Sequence, residues 1–527
     1  RGESGYIWHT TGSGKTLTSY KVARNLLQDI PSIEKTVFLI DRTDLDQQTS
    51  DNFQSYSEND IVDVDDVENV SDLKNKLKNK SRQMIVTTRQ KLQTLLRKLS
   101  TNPEPKDYQH LRNLKIAFVV DECHRAISPK TKRIIETFFI KSMWYGFTGT
   151  PRFGENSYPE MGDLPRTTEE LYGNLLHSYN IKDAIHDNAV LGFQVEHLGV
   201  SGLETDSDGN NINEDFHYYE SETHMIKILD FILNKSYEKL GIKKGAGRTY
   251  EAILTTSSIA MAQKYYELLS RIKKDNSTIT VSEEIKRVLP DFPKFAITYS
   301  VGNENADGAN ANQEQMKKSL ADYNEMFGTK YDIDQIRSYN NNLNDRLARK
   351  SEKYRIRSEQ LDLVIVVDRL LTGFDSPSLS TLYIDRQPMQ LHNILQAFSR
   401  TNRIFDADKT YGQILTFQSP GTFKNAVDNM LRLFSQGGET SAMAPSWEHI
   451  ESNFIKALET LRIIAPTPDD IANMSIKEKR SFIRIFQKFD AAFNQLKSHT
   501  KFLEKNLATD YSLTEDEYDS YVAHYKN

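Results

Sequence analysis

Short apolar runs alternate with stretches of helical spacing along most of this chain, and that alternation restricts the fold more than any other feature. The first series is residues 6–9, 36–41, 84–88, 116–121 and 144–148. A second series, 251–256, 295–299, 363–367, 381–385 and 412–417, follows a polar stretch at 206–214 that reads as a loop. These runs are rich in β-branched and aromatic residues and nearly continuous in apolar character. Strands of that kind are covered on both faces, which predicts parallel sheets flanked by helices. Residues 303–312, small, polar and Asn/Gly-rich, read as a mobile loop. From about residue 440 the strand signals fade, whereas 447–464 and 476–503 keep helical spacing. The expected fold class is α/β, with one αβ architecture used twice and a helical C-terminal region.

Composition narrows the class further. A chain of 527 residues suggests three or four domains, at roughly 100–200 residues each. Hydrophobic residues at 38% and charged residues at 27% give a globular balance. The net charge of -6 excludes a polybasic-tail binder. It leaves open a protein whose positive charge lines one groove. The single cysteine, Cys123, excludes a disulfide scaffold and a Cys-rich zinc module and fits a reducing, cytoplasmic setting. No apolar run approaches the roughly 18 residues of a membrane span. The chain opens at Arg1, not Met, and enters a motif almost at once, so an upstream portion is expected.

That motif, His9-Thr-Thr-Gly-Ser-Gly-Lys-Thr16, lies between the first strand and the first helix. Gly12 and Gly14 allow a tight turn whose N–H groups converge on one anion, and the following helix adds its positive N-terminus. Lys15 can reach the β- and γ-phosphates of ATP, and the Thr16 hydroxyl can hold Mg²⁺. Thr11, Gly12, Ser13 and Gly14 complete the candidate ATP-binding loop. His9 stands where the usual first glycine would be, and a Gly/Ser turn before a helix cap remains the competing reading.

Asp121-Glu122-Cys123-His124 follows the apolar strand at 116–120, at the strand end where open parallel sheets collect ligands. Asp121 can bind Mg²⁺, and Glu122 can activate the attacking water. His124 is either structural or a coupling residue between the nucleotide site and the next domain. Further on, Arg400 and Arg403 are three apart and would share one face of a helix beginning near Leu391. Guanidinium groups there can bind the γ-phosphate, or be solvated on a surface helix. Upstream, Gly373 and Pro377 mark a tight turn carrying Asp375, a contact for nucleotide sugar, for a partner arginine, or simply a turn residue.

Taken together, these motifs and Thr148-Gly-Thr-Pro151 resemble the superfamily 2 helicase-like ATPases. The runs GYIWHTTGSGKTLTSYKVAR, FLIDRTDLDQQT, IVTTRQKL, VDECHR, YGFTGTPRF, LLHSYNIKDAI, VVDRLLTGFDSP and PMQLHNILQAFSRTNRIFD are similar to the motor part of the restriction (R) subunit of type I restriction–modification enzymes. The resemblance implies two RecA-like lobes, residues 1–200 and 201–440, with ATP between them, and a helical region at 441–527. Lys15, Thr16, Asp121 and Glu122 would come from the first lobe and Arg400 and Arg403 from the second, with Gly373, Asp375 and Gln396 also lining the nucleotide site. Thr148 and Thr150 would join His124 in linking hydrolysis to movement. Arg42, Thr87 and Thr88 would face the DNA backbone.

The implied output is ATP-dependent translocation along double-stranded DNA, with methyltransferase (M) and specificity (S) subunits as partners and no membrane. The family's nuclease domain would precede Arg1. The E-x-K string Glu284-Ile-Lys286 reads as a solvated helix face, not a nuclease site. The basic run at 74–82 likewise reads as a solvated helix face. The alternatives are another superfamily 2 helicase or remodelling ATPase, or a DNA- or protein-binding scaffold with a degenerate ATPase site.

Overall fold

The computed structural model describes residues 3–40, 55–56, 64–101, 105–199, 216–300 and 306–526. The chain forms two compact units. The first comprises Arg1–Val190, Met389–Ser399 and Val427–Glu439; the second comprises Leu191–Pro388, Arg400–Ala426 and Thr440–Asn527.

The first unit is built on a seven-stranded sheet in the order β3-β4-β2-β5-β6-β1-β7, every pair parallel. Its strands are β1 (Gly5–His9), β2 (Lys35–Ile40), β3 (Val64–Asp66), β4 (Gln83–Thr88), β5 (Lys115–Val120), β6 (Lys141–Thr148) and β7 (Leu175–Tyr179). Helix α1 (Lys15–Asp29) buries Tyr20, Ala23 and Leu27. Their near-helical repeat puts them on one stripe, against Ile7, Phe38, Val86, Val119 and Phe147 of the sheet. Both faces of β1, β2 and β4 are covered and all their residues are buried, which is why their centres read as apolar runs.

The second unit holds a six-stranded parallel sheet in the order β10-β11-β9-β12-β13-β8. The strands are β8 (Gly192–His197), β9 (Glu251–Thr256), β10 (Phe295–Thr298), β11 (Leu363–Val366), β12 (Leu379–Asp385) and β13 (Tyr411–Thr416). Its C-terminal part is helical. Trp447–Ile464 and Ile476–Ser498 form a core through Phe454, Phe482, Phe486, Phe489 and Phe493. Among the described residues, no helix is long and apolar enough to cross a membrane.

All the strands expected from apolar runs are present, with ends shifted by up to three residues. Three were not anticipated. β3 is three residues long, β7 is largely exposed, and β8 carries Gln194 and Glu196 inside the second sheet. β8 pairs along its length with β13, so the second sheet starts before the expected boundary at residue 200. Residues 206–214 lie outside the described residues. Of the expected loop at 303–312, residues 303–305 lie outside the described residues, and the rest is corrected by a helix, Ala306–Phe327. Met316, Leu320 and Tyr323, buried at helical spacing, anchor it by packing that outweighs the weak propensity of its polar start. Glu284 lies exposed on the helix Glu283–Val288, where Lys286 reaches Glu283 at 3.3 Å.

Candidate phosphate-binding site

The loop between β1 and α1 depends on two glycines. Gly12 (φ 89°) and Gly14 (φ 88°) occupy the left-handed region that a side chain disfavours. Gly14 caps α1 without a side-chain hydrogen bond, and the first turn holds no acidic residue. The helix therefore presents backbone N–H groups and its positive end, with Thr16 half-buried in the first turn. A Cβ at Gly149 would lie 2.8 Å from Thr11 Oγ1, so the absence of a side chain there admits the loop.

His9, in place of the first glycine, stays within the loop. Its Nδ1 lies 2.9 Å from Ser13 Oγ, and that hydroxyl donates to the Thr10 carbonyl at 2.7 Å. A serine has one hydroxyl proton, so His9 must carry its own proton on Nδ1. Burial, reinforced by His177 and Lys15, pushes the His9 pKa down to about 4, so the ring is neutral at pH 7.

Lys15 and the acidic pair meet. Asp121 continues the sheet beyond β5, its N–H donating to Leu39 O at 3.2 Å. Glu122 turns at once into the left-handed region (φ 45°), a conformation that costs a non-glycine residue energy. The turn caps the short helix Cys123–Ala126 and aims the carboxylate at Lys15. Lys15 is buried, donates to Glu122, and lies 3.4 Å from Asp121 Oδ1. Burial alone would lower the Lys15 pKa, but Asp121 and Glu122 hold it above the ordinary lysine value. Burial alone would raise that of Glu122, but Lys15, with Arg125, holds it well below the usual carboxylate range. For Asp121 burial prevails over Lys15, and its carboxyl is raised.

His124 is buried at the centre of a second cluster. Its Nδ1 lies 2.8 Å from Thr148 Oγ1, and Thr148 Oγ1 also accepts from Thr150 N at 3.0 Å. On its other side, Gln396 Nε2 lies 3.1 Å from His124 Nε2, 3.1 Å from Thr150 Oγ1 and 3.5 Å from Glu122 Oε2. An amide nitrogen only donates, so His124 accepts at Nε2 and donates from Nδ1. Burial, with Arg125 and His392, pushes its pKa well below the ordinary value and keeps the ring neutral. Gln396 lies on the helix Leu391–Phe398, which belongs to the first unit. Lys15, Asp121, Glu122, His124, Thr148, Thr150 and Gln396 are thus gathered in one unit. The Tyr158 hydroxyl, which donates to the His124 carbonyl, and Trp8 Nε1, which donates to Gly149 O at 3.2 Å, support them without any signal in the sequence.

Arg400 and Arg403 belong to the second unit, and their expected helical face is corrected. The helix stops at Phe398, and the chain beyond it offers the Asn402 carbonyl to Leu191 N at 2.8 Å, a bond that a continuing helix would forgo. Neither arginine is solvated, at 4% and 8% exposure. Arg400 Nη1 donates to the Phe374 carbonyl, and Arg403 Nε to Asp375 Oδ1 at 2.5 Å. Both partners follow Gly373, which turns the chain at φ 74°.

Thr87 and Thr88, expected to face the DNA backbone, lie at the end of β4. Both are 1% exposed. Thr88 Oγ1 accepts from Lys91 N at 3.4 Å, at the start of the helix Arg89–Thr101. Thr87 Oγ1 is buried with no partner among the described residues. Arg42 lies outside the described residues. In the basic run, Lys74 and Lys78 pair with Asp107 at 3.0 and 2.7 Å, and Arg82 Nε donates to Ile33 O at 3.0 Å. That run supports the fold locally instead of standing free.

Three family models match the chain in succession. They are the SWI2/SNF2 ATPase over residues 1–225, type I restriction enzyme subunit R domain 3 over 248–419, and the type I restriction and modification enzyme subunit R C terminal over 442–527. The type I restriction enzyme SauCOLORF180P endonuclease subunit of Staphylococcus aureus (strain COL) is 33% identical over 510 residues, covering 95% of this chain and 51% of the relative. The SsaAORF53P endonuclease subunit of Staphylococcus saprophyticus is 33% identical over 531 residues, covering 99% and 53%. The chain spans about half the length of these curated relatives. Among solved structures, the ATP-dependent type ISP restriction–modification enzyme LlaBIII bound to DNA shares 15% identity at a TM-score of 0.48, over 95% of this chain and 32% of that one. With regions matching the SWI2/SNF2 ATPase and then two R-subunit models, the chain is a homologue of type I restriction enzyme endonuclease subunits.

Proposed function

We propose that the chain is the motor part of a type I restriction enzyme R subunit, hydrolysing ATP to translocate along double-stranded DNA without separating its strands. The observation that carries this reading is the meeting of Lys15 with Asp121 and Glu122 beside an uncapped glycine loop. A buried lysine poised between two carboxylates fits a triphosphate, whose oxygens would take over its charge. The donor set also fits Mg²⁺, which commonly takes one or two protein ligands and fills the rest of its shell with phosphate oxygens and water. Thr16 and Asp121 would hold the ion, which neutralises phosphate charge when bound.

In this reading Thr11, Gly12, Ser13 and Gly14 cradle the phosphates through the backbone. Glu122 orients the attacking water and takes its proton. Arg400 and Arg403, from the second lobe, stabilise charge on the γ-phosphate, and Gly373, Asp375 and Gln396 complete the nucleotide site. The His124–Thr148–Thr150–Gln396 cluster passes the loss of the γ-phosphate on to the fold as movement. Motion along the backbone carries no sequence information, so site choice falls to the M and S subunits in a cytoplasmic complex. A triplex-displacement assay beside a blunt-duplex strand-separation assay tests this. The proposal expects ATP-dependent release of the third strand with the duplex left paired; unwinding of the blunt duplex would point to a helicase instead.

A further inference from the structure

Arg400 and Arg403 are held by one loop. Phe374 gives its carbonyl to Arg400 and Asp375 its carboxylate to Arg403. The residues just beyond that loop contact two buried charges that the proposed chemistry does not use. Glu251, at the start of β9 and 0% exposed, accepts from Ser378 Oγ at 3.0 Å and lies 3.3 Å from Ser376 Oγ. Arg349 Nε donates to its other oxygen at 3.0 Å. Lys409, 4% exposed, donates from Nζ to the carbonyls of Pro377 and Leu379, each at 2.8 Å.

We infer that Glu251 and Lys409 are positioning residues, which fix residues 376–379 and thereby set where Arg400 and Arg403 are held. The inference rests on the reading of those arginines given above. Charge in a protein interior is costly and is kept where its hydrogen bonds are used. No carboxylate among the described residues forms an ion pair with Lys409, so its ammonium is committed to backbone carbonyls of this one segment. The charged groups around Lys409 are Arg403, Asp406, Glu251 and Asp375. Burial, followed by Arg403, pushes its pKa down to about 7, and burial pushes that of Glu251 up to about 7 against the pull of Arg349. In the segment Ser376-Pro-Ser-Leu-Ser380 the large apolar side chain is Leu379, buried at the first residue of β12, and Ser376–Ser378 precede the strand. Polar anchors therefore hold the part of the segment ahead of the strand.

The test uses the whole chain in two variants, Lys409→Met and the milder Ser378→Ala. Hydrogen–deuterium exchange without nucleotide should show the amides of residues 372–378 exchanging about tenfold faster in both, with β11 and β12 unchanged. In steady-state ATP turnover, Lys409→Met should lower kcat about tenfold with KM for ATP within about twofold. It should add nothing in an Arg403→Ala background, because both changes remove the same held guanidinium. Unchanged exchange at 372–378 in both variants, or losses that multiply in the double variant, would overturn the inference. If the wild-type chain turned over no ATP, the proposed function would fall while the exchange result still decided this point.

Discussion

Lys15 Nζ lies 3.4 Å from Asp121 Oδ1 and also donates to the Glu122 carboxylate, so one buried cation serves two adjacent, partly buried carboxyls. Removing it strands both. Lys15→Ala should destabilise the first unit by about 3–5 kcal/mol near pH 7. Without Lys15 the two carboxyls, desolvated and mutually repelling, titrate above their unfolded values. The penalty is therefore present at neutral pH and relieved as pH falls and they take up protons. Urea denaturation at pH 7 and pH 4.5 checks this, and the gap to wild type should be smaller at the lower pH.

Glu122→Gln should separate binding from hydrolysis. The amide keeps the size of the side chain and removes the base, so ATP turnover should fall by about 10²–10⁴. Nucleotide affinity should change far less, since the loop and Lys15 remain. Equilibrium binding of a fluorescent nucleotide beside single-turnover hydrolysis measures both quantities.

Arg403→Ala should lower kcat by about 10³, on the scale of an arginine that stabilises phosphoryl charge. Arg403→Lys should not restore it, because an ammonium cannot keep the Asp375 contact and reach a phosphate with a planar fork. Steady-state kinetics of the two variants gives the comparison.

A further prediction concerns pH and the attachment of the C-terminal helices. Glu196 of β8 pairs with Lys239 at 2.5 Å and accepts from Thr500 N at 2.9 Å, just past the end of the helix Ile476–Ser498. Burial alone would raise its pKa, but Lys239 and His499 hold it at about 2. A depressed carboxyl stabilises the fold above its unfolded value and loses that contribution as pH falls through its folded one. The wild-type advantage over Glu196→Gln, on the order of 3 kcal/mol at neutral pH, should therefore shrink between about pH 4.5 and pH 2. Denaturant midpoints across that range would show it, and a constant gap would contradict it.

What the sequence made legible follows the physics of each element. Strands covered on both faces announced themselves, as with residues 116–120 and 363–366. β7, exposed over most of its length, and β8, with buried Gln194 and Glu196, did not. The glycine loop and the acidic pair were readable because each is a contiguous string with local geometry. Arg400 and Arg403 were readable as residues but not as a conformation, since the bond from Leu191 that draws the chain out of its helix comes from far away in sequence. The burial of Thr87 and Thr88 was not readable, because a strand end looks the same whether a hydroxyl meets solvent or, as with Thr88, accepts from the next helix. The contacts of Gln396 with His124, 272 residues apart, and of Lys409 with Pro377 exist only in the folded chain.

The most direct measurement is ATP turnover by this chain with and without double-stranded DNA, compared with Lys15→Ala. The account predicts hydrolysis that DNA stimulates and that the substitution abolishes. Turnover left unchanged by Lys15→Ala would contradict it.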